Sequence, residues 1–464
     1  MMGRMADAHS DTRFFGHPRG LSTLFFTEMW ERFSFYGLRP LLVLFMSAAL
    51  TQGGFGFSRE HASAIVGIYA ASVYLSSLPG GWVADRLLGL RRAIWYGGCL
   101  ITAGHFSIAL SAVTGRWAFF LGLILIVLGT GLLKPNISAI VGDLYPEGGA
   151  RRDAGFSLFY MGINIGALLA PLITGYLGEK VGWHYGFGAA GLGMVLGLIQ
   201  YRLTSNWLGT LGLEITRHPE PAVQARQERR MKWGLGASLA VLALLLVLGM
   251  TDVLRINAVA VAESMGYVIA GMALIYFLYL FTLAGLTSAE KKRVAVIFVL
   301  FAFATIFWSA FEQAPTSLNL FARDFTDRTV FGWEMPTLWL QSANSFFVIT
   351  FAPVFAALWV TLGRRGGDLS SPAKFTLGLL LAGVGFAVMI FASERIQGGG
   401  VVRVSPWWLV ASYFFQTLGE LCLSPVGLSS MTKLAPRKFA PPAKKWRSVV
   451  MKWCTAKHSF SDTE

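Results

Sequence analysis

Four charged residues lie within one apolar segment near the start of the chain. The run from Glu28 to Arg39 has the sequence EMWERFSFYGLR. At about 100° per residue, a helix would place the polar and aromatic members of this run on one stripe roughly 140° wide. The stripe consists of Glu28, Glu31, Arg32, Phe35, Tyr36 and Arg39. Because a charge that faces lipid costs several kcal/mol, we expect the stripe to line a polar cavity, where it would handle protons or lock the bundle as an ion-pair cluster.

The composition indicates that this charged segment belongs to a membrane protein. Of 464 residues, 54% are hydrophobic and only 14% are charged, whereas soluble proteins have about 25% charged residues. We therefore predict an all-α polytopic membrane protein, since every backbone polar group in a bilayer must bond internally. The predicted spans are 21–50, 62–83, 92–113, 117–141, 156–177, 183–204, 233–251, 264–286, 293–322, 338–360, 373–393 and 406–432.

Lys and Arg are concentrated in alternate loops. The net charge of +14 therefore indicates orientation in a bilayer rather than a nucleic-acid partner, and the positive-inside rule places the N-terminus in the cytoplasm. We predict a multi-pass protein of the inner (plasma) membrane. Its expected parts are a cytoplasmic segment 1–20, a six-helix bundle 21–204, a cytoplasmic linker 205–232, a lipid-facing two-helix insert 233–286, a second bundle 293–432 and a polar, basic tail 433–464.

The loop after the second predicted span carries a recognisable motif. It runs GWVADRLLGLRR from Gly81 to Arg92 and resembles the loop signature of the major facilitator superfamily. The resemblance implies two pseudo-symmetric helical halves. It assigns a fold or gating role to Gly81, Asp85, Arg86 and Gly89, and it says nothing about substrate.

Further motifs resemble one family within that superfamily. The pattern ExxERFxxYG in the first span is similar to the first-helix signature of the proton-coupled oligopeptide transporter (POT) family. Other family-like stretches are Gly131 to Ser138, Phe156 to Pro171, Trp308 to Gln313, Gln341 to Asn344 and Gly419 to Gly427. The resemblance covers about residues 14–438, and bacterial members also carry a two-helix insert.

The resemblance implies a site, residue by residue. Proton coupling would fall to Glu28, Glu31, Arg32 and Glu312. Peptide binding would fall to Tyr36, Arg39, Tyr74, Lys134, Asn164, Trp308, Asn344, Glu420 and Ser424. Arg39 and Lys134 match cations that meet the peptide carboxylate, whereas Asn164, Asn344 and Glu420 match groups that hold the amino end.

Some of these residues have simpler interpretations. Lys134 could extend to the cytoplasmic surface, Glu312 and Glu420 could be structural, and Tyr74 and Trp308 could be packing residues. The chain also departs from the family pattern, because Phe35 stands where the family has a tyrosine and Gly67 aligns with a histidine of animal members. Coupling would therefore rest on carboxylates.

Elementary chemistry agrees with a peptide carrier. Peptides of any sequence share one cation and one anion, so a promiscuous carrier should hold the two ends and move its halves around a midplane site. We predict a monomeric, proton-coupled symporter of di- and tripeptides, with no cofactor and no metal. The alternatives are a carrier of another anion or amino-acid-like substrate, which Glu420 would repel if it were an anion, and a membrane enzyme, for which no suitable His, Cys or Ser set is present.

The end of the sequence suggests a further alternative. The family pattern continues to about Arg437 and is followed by a polar stretch that is too short to span a bilayer. We expect the last two core helices of the family to be missing, which would make the chain a weakly stable and poorly active remnant.

Overall fold

A computed structural model describes residues 11–146, 149–215, 219–251, 253, 257–367, 369–398 and 402–434. It is built almost entirely from α-helices. The first half contains α1 (Arg19–Ser47), α2 (Arg59–Val83), α3 (Leu90–Thr114), α4 (Arg116–Asp143), α5 (Gly149–Tyr176) and α6 (Trp183–Thr204). The helices that follow are α7 (Pro221–Met250), α8 (Ala258–Thr282), α9 (Ser288–Phe311), α10 (Asn319–Phe325), α11 (Ser342–Arg364), α12 (Ser371–Gln397) and α13 (Trp407–Leu434).

Long helices of this composition fit a bilayer. Within the described residues, nine helices are long and apolar enough to span a membrane. The helix α1 is not among them, because the charged stripe from Glu28 to Arg39 lowers its apolar character. Its side chains are nevertheless almost all buried, so the charges are enclosed by neighbouring helices rather than by lipid.

Glycines let the helices of the first half pack backbone to backbone. A Cβ at Gly80 of α2 would overlap the carbonyl oxygen of Gly131 in α4, and a Cβ at Gly166 of α5 would overlap that of Met29 in α1. Gly197 of α6 similarly leaves room for the side chain of Trp30. Small residues at such crossings are typical of membrane bundles, where close packing replaces the hydrophobic effect.

The predicted linker 205–232 is more ordered than its composition suggests. Residues Ser205–Leu208 form a 3₁₀ turn, and Leu208 is fully buried against the first half. Arg91 fixes the next stretch, because its Nη1 donates to the carbonyl of Gly209 at 2.8 Å. The helix α7 then begins at Pro221, well before the predicted start at 233, because a helix outside the bilayer needs no apolar pattern and proline is favoured in a first turn.

The insert helices α7 and α8 are exposed along most of their length, as expected for a lipid-facing pair. The end of α8 packs against α9. Phe277 and Leu280 there form a small apolar cluster with Val294 of α9.

The predicted span 293–322 is broken in the structure. The helix α9 ends at Phe311, and a π-helical turn, Ala314–Leu318, separates it from α10. Pro315 in that turn lacks the N–H that a continuous helix needs. The break leaves Glu312 at the helix end, where its side chain faces the other half.

A short hairpin follows α10. Its strands β1 (Thr329–Val330) and β2 (Trp333–Glu334) are antiparallel. The backbone N–H of Thr329 donates to Asp327 Oδ1 at 3.0 Å and lowers the pKa of that carboxyl. The 3₁₀ turn Thr337–Gln341 then leads directly into α11.

The two halves meet at the end of the molecule where α1 finishes, which we call the distal end. Leu320 and Leu338 of the second half are buried in an apolar cluster whose other members belong to the first half. Asn319 Nδ2 also donates to the carbonyl of Pro40 at 2.9 Å. The predicted tail lies outside the described residues from residue 435 onward.

Candidate functional site

A cavity lies between the two halves, and the charged stripe of α1 forms one wall. All but two of the predicted coupling and binding residues line it. From the first half these are Glu28, Arg32, Tyr36, Arg39, Tyr74, Lys134 and Asn164, and from the second half they are Trp308, Glu312, Asn344 and Glu420. The helices α1, α2, α4 and α5 thus contribute one side of the cavity, and α9, α11 and α13 contribute the other.

The two exceptions are Glu31 and Ser424, which are absent from the cavity wall among the described residues. Glu31 is buried on the same helix and pairs with Arg32 instead. Ser424 lies one turn beyond Glu420 on α13 and is only partly buried. The helical stripe predicted that Glu31 would line the cavity, and this was wrong. A stripe 140° wide also includes positions that face a neighbouring helix.

Arg32 is the centre of a buried ion cluster on α1. Its Nε lies 3.3 Å from Glu28 Oε1, and the guanidinium also contacts Glu31. All three side chains are almost completely enclosed. Arg32 is therefore shared by two buried carboxylates, and Lys134 lines the same cavity wall as Glu28.

Phe35 lies beneath the cations of the first half. Its ring centroid is 4.9 Å from Arg32 Cζ, 5.8 Å from Arg39 Cζ and 6.0 Å from Lys134 Nζ. Lys134 Nζ is also 5.6 Å from the Tyr74 ring. The Phe35 ring therefore lies close to three positive groups, which is a favourable arrangement for cations.

Lys134 does not reach the membrane surface. Its side chain is buried and lines the cavity, so the alternative in which it extends to the cytoplasmic side does not describe this structure.

Arg39 and Glu312 connect the halves within the cavity. Arg39 Nη2 lies 2.5 Å from Glu312 Oε2. The Arg39 side chain is 9% exposed and that of Glu312 is 26% exposed, so the carboxylate is the partner that is open to the cavity.

Amide and hydroxyl groups hold the second-half wall. Asn344 Nδ2 donates to Thr417 Oγ1 at 2.8 Å, which links α11 to α13. Gln341 Nε2 donates to the carbonyl of Ala314 at 2.6 Å. Glu420 is buried on α13 and faces the same cavity.

On the opposite wall, Asn164 Nδ2 donates to the carbonyl of Tyr160 within α5, at 3.0 Å. This hydrogen bond fixes the orientation of the Asn164 side chain, which lines the cavity.

Sequence reasoning missed several cavity residues, including two tyrosines and a glutamine that could contact a substrate. Tyr160, Tyr413 and Gln416 all line the cavity. Helical spacing could have found them, because Tyr160 is four residues before Asn164 and Gln416 is four residues before Glu420, so each shares a face with its partner.

The loop motif lies away from the cavity. Gly81 is buried in α2, and Asp85 and Arg86 belong to the π-helical turn Ala84–Leu88. Arg86 Nη1 donates to Gln227 Oε1 of α7 at 2.8 Å. Gly89 has a φ of +77°, a conformation that favours glycine, and it lies immediately before α3.

Two helical membrane bundles around an enclosed charged cavity define a secondary transporter. Comparison with known proteins is more specific. A profile of the POT family matches residues 91–225 and 229–446. The chain belongs to the POT family.

Relatives of known name support this assignment. The chain is 51% identical to the peptide transporter YePEPT of Yersinia enterocolitica over 92% of its own length and 84% of the relative's. It is 40% identical to the di-/tripeptide transporter of Lactococcus lactis, over 93% of its length and 86% of the relative's.

A solved structure shares the fold. The crystal structure of a peptide transporter of the POT family in complex with sulfate superposes with a TM-score of 0.87 at 42% identity, covering 98% of this chain and 89% of that one. The predicted family and helical major facilitator fold are confirmed. The family and these relatives are transporters and not enzymes.

Proposed function

We propose that the chain is a monomeric proton-coupled symporter that imports di- and tripeptides by alternating access. The named relatives support peptides as the substrate class. The distribution of charge in the cavity supports the same conclusion from chemistry alone.

The observation that carries the proposal is a separation of charge across one cavity. Arg39 and Lys134 line it from the first half, and Glu420 lines it from the second. A short peptide has a carboxylate at one end and an ammonium group at the other. The two ends would therefore bridge the halves, while side chains of any type occupy the remaining space between them.

The Arg39–Glu312 contact suggests how protons enter the cycle. A peptide carboxylate that binds Arg39 must compete with the carboxylate of Glu312, which already lies 2.5 Å away. Protonation of Glu312 would remove this competitor and release Arg39 for the peptide. Proton binding and peptide binding would then favour each other.

Within α1, the ion cluster offers a second proton site. Glu28 lines the cavity beside Arg32, whereas Glu31 contacts Arg32 from outside the cavity. We propose that Glu28 and Glu31 exchange Arg32 as a proton enters, so Glu31 acts through the arginine.

The orientation follows from the loops. The basic residues of the N-terminal side support a cytoplasmic location for that side. The distal end, where the halves are in contact, is then the outer face. The structure would correspond to a state with its outer gate closed.

A carrier of another anion fits the cavity less well. Such a substrate has no cation for Glu420, and the buried carboxylate would repel it. For that reason we retain the peptide as the substrate.

Uptake by the purified protein in proteoliposomes would test the proposal. With an acidic exterior and a neutral lumen, we expect labelled dialanine to accumulate above its external concentration. A proton-conducting ionophore should abolish the accumulation. Uptake that is indifferent to the proton gradient, or absent for every short peptide, would contradict the proposed function.

A further inference from the structure

Glu179 of the first half binds the backbone of the second half. It lies in the π-helical turn Leu177–Val181 at the distal end of α5. The N–H of Thr337 donates to Glu179 Oε2 at 2.8 Å, and the N–H of Leu338 donates to Oε1 at 3.0 Å. These donors begin the 3₁₀ turn Thr337–Gln341, whose first N–H groups have no partner within the turn.

The same backbone is held by apolar packing. Leu338 is fully buried in the apolar cluster of the first half. A Cβ at Gly175, one turn before Glu179, would lie 2.7 Å from Leu338 Cβ, so only glycine permits this approach. The first half therefore contacts the segment Thr337–Leu338 in two ways, through the Leu338 side chain and through the two backbone N–H groups.

A buried arginine lies on the other side of the Glu179 carboxylate. Arg328 Nη1 is 3.7 Å from Glu179 Oε2, and Nη1 also donates to the carbonyl of Met335 at 2.6 Å. Its Nη2 is 2.8 Å from Glu334 Oε1. Lys180 Nζ, next to Glu179, lies 3.6 Å from Glu334 Oε2. The hairpin β1–β2 is thus fastened to the end of α5 by alternating charges.

We infer that Glu179 is a gating residue, which holds the outer gate closed by capping the 3₁₀ turn of the opposite half. The bonds to Thr337 and Leu338 are charge-assisted and cross the line along which the halves must separate. They exist only while the distal end is closed. In an open state, water would form the hydrogen bonds to the carboxylate and to both N–H groups. The direct bonds therefore stabilise the closed state alone.

This position also connects the gate to the substrate site. The capped turn continues into α11, and Gln341 at its end and Asn344 in the first turn of α11 both line the cavity. A movement of the turn away from Glu179 would therefore displace cavity residues. The direction of transport assigned to this gate rests on the proposed function, but the gate itself does not.

The gate can be tested by a distance measurement without substrate. Spin labels at Leu50→Cys and Phe331→Cys would report on the distal ends of the two halves, since both side chains are exposed. The background would lack the native thiols of Cys99, Cys422 and Cys454. In lipid nanodiscs, pulsed electron paramagnetic resonance spectroscopy measures the distribution of distances between the two labels. The ratio of long to short distances then gives the ratio of open to closed gates.

We expect Glu179→Gln to raise the open-to-closed ratio at least fivefold, because the amide NH₂ would face a backbone N–H and the charge beside Arg328 would be lost. Glu60→Gln is the matched control. It makes the same change of charge at an exposed position of the same end of the bundle, in the first turn of α2, and should leave the ratio unchanged.

Thr337→Pro tests the contact from the other side. Proline removes one donor N–H and fits the first turn of a helix, and Pro336 already has the ψ of 140° that a following proline needs. The substitution should also open the gate. In the double variant with Glu179→Gln, Thr337→Pro should raise the open-to-closed ratio much less than it does alone. The reason is that both substitutions weaken the same interaction.

Two results would overturn the inference: an unchanged distance ratio in Glu179→Gln, or full additivity in the double variant. If Glu179→Gln does not fold, an unchanged ratio in Thr337→Pro alone would be decisive. A protein that shows the gate effect but transports no peptide would refute the proposed function and leave the gate intact.

Discussion

Arg39 Nη2 and Glu312 Oε2 are 2.5 Å apart, and this contact joins the two halves inside the cavity. The guanidinium is therefore occupied before any substrate arrives. Lys134 lies in the same wall, and its Nζ is 6.0 Å from the centroid of the Phe35 ring.

Lys134→Ala should weaken dipeptide binding by at least tenfold. The substitution removes one charge-assisted contact, and such contacts contribute about 1.5–3 kcal/mol. Affinity can be measured by isothermal titration or by competition for uptake. A dipeptide amide, which has no carboxylate, should lose much less, and equal losses for acid and amide would show that Lys134 does not meet the carboxyl end.

Glu420→Gln should give the opposite pattern. The buried carboxylate faces the cavity from α13, and its loss should reduce affinity for a free dipeptide by about tenfold or more, as expected for a contact of ~1.4 kcal/mol. An N-acetylated dipeptide has no cation at that end and should bind the variant and the parent almost equally. If acetylation does not change the effect of Glu420→Gln, the amino-end assignment is wrong.

Glu31→Gln should abolish uphill accumulation of peptide under a pH gradient. Because Glu31 contacts Arg32 and does not line the cavity, peptide binding and counterflow, which need no net proton movement, should persist. Both assays can be run on the same proteoliposomes, with Glu60→Gln as the control for a changed charge. Retained accumulation in Glu31→Gln would exclude a role in coupling.

Gly80→Ala should destabilise the first half by about 1–3 kcal/mol or more, which is the usual cost of overpacking. Its Cβ would overlap the backbone of Gly131 in α4. Gly67→Ala on the same helix is the matched control, since nothing lies within 4 Å of its Cβ position. Thermal unfolding in detergent should show a clear loss for Gly80→Ala alone, and similar melting temperatures would disprove the tight α2–α4 crossing.

Periodicity and charge predicted the fold well where one physical rule dominates. Hydrocarbon requires long apolar helices, so the spans were found, and 183–204 coincides with α6, which begins after Gly182 and ends at the turn Ser205–Leu208. The rule fails outside the bilayer. The helix α7 begins at Pro221 within a polar stretch, where no apolar period marks it.

The cavity was predicted more completely than the gate. Charges such as Glu28 and Arg39 stand out in an apolar segment, so they can be recognised individually. Glu179 and Thr337, by contrast, are separated by 158 residues, and the donor is a backbone N–H that every non-proline residue has. In the sequence, a carboxylate near a helix end looks like an ordinary surface residue, and nothing there indicates such a partner.

The glycines of α3 and α4 have a mechanical consequence. A Cβ at Gly97 would lie 2.6 Å from the carbonyl oxygen of Gly129, and one at Gly104 would lie 2.6 Å from that of Gly122. The second half repeats the arrangement between α12 and α13, where a Cβ at Gly378 would lie 2.8 Å from the carbonyl oxygen of Gly419. Axial sliding by one residue, about 1.5 Å, would drive larger side chains into these notches. Each of these helix pairs should therefore move as one unit during the cycle, because the two helices cannot slide past each other along their axes.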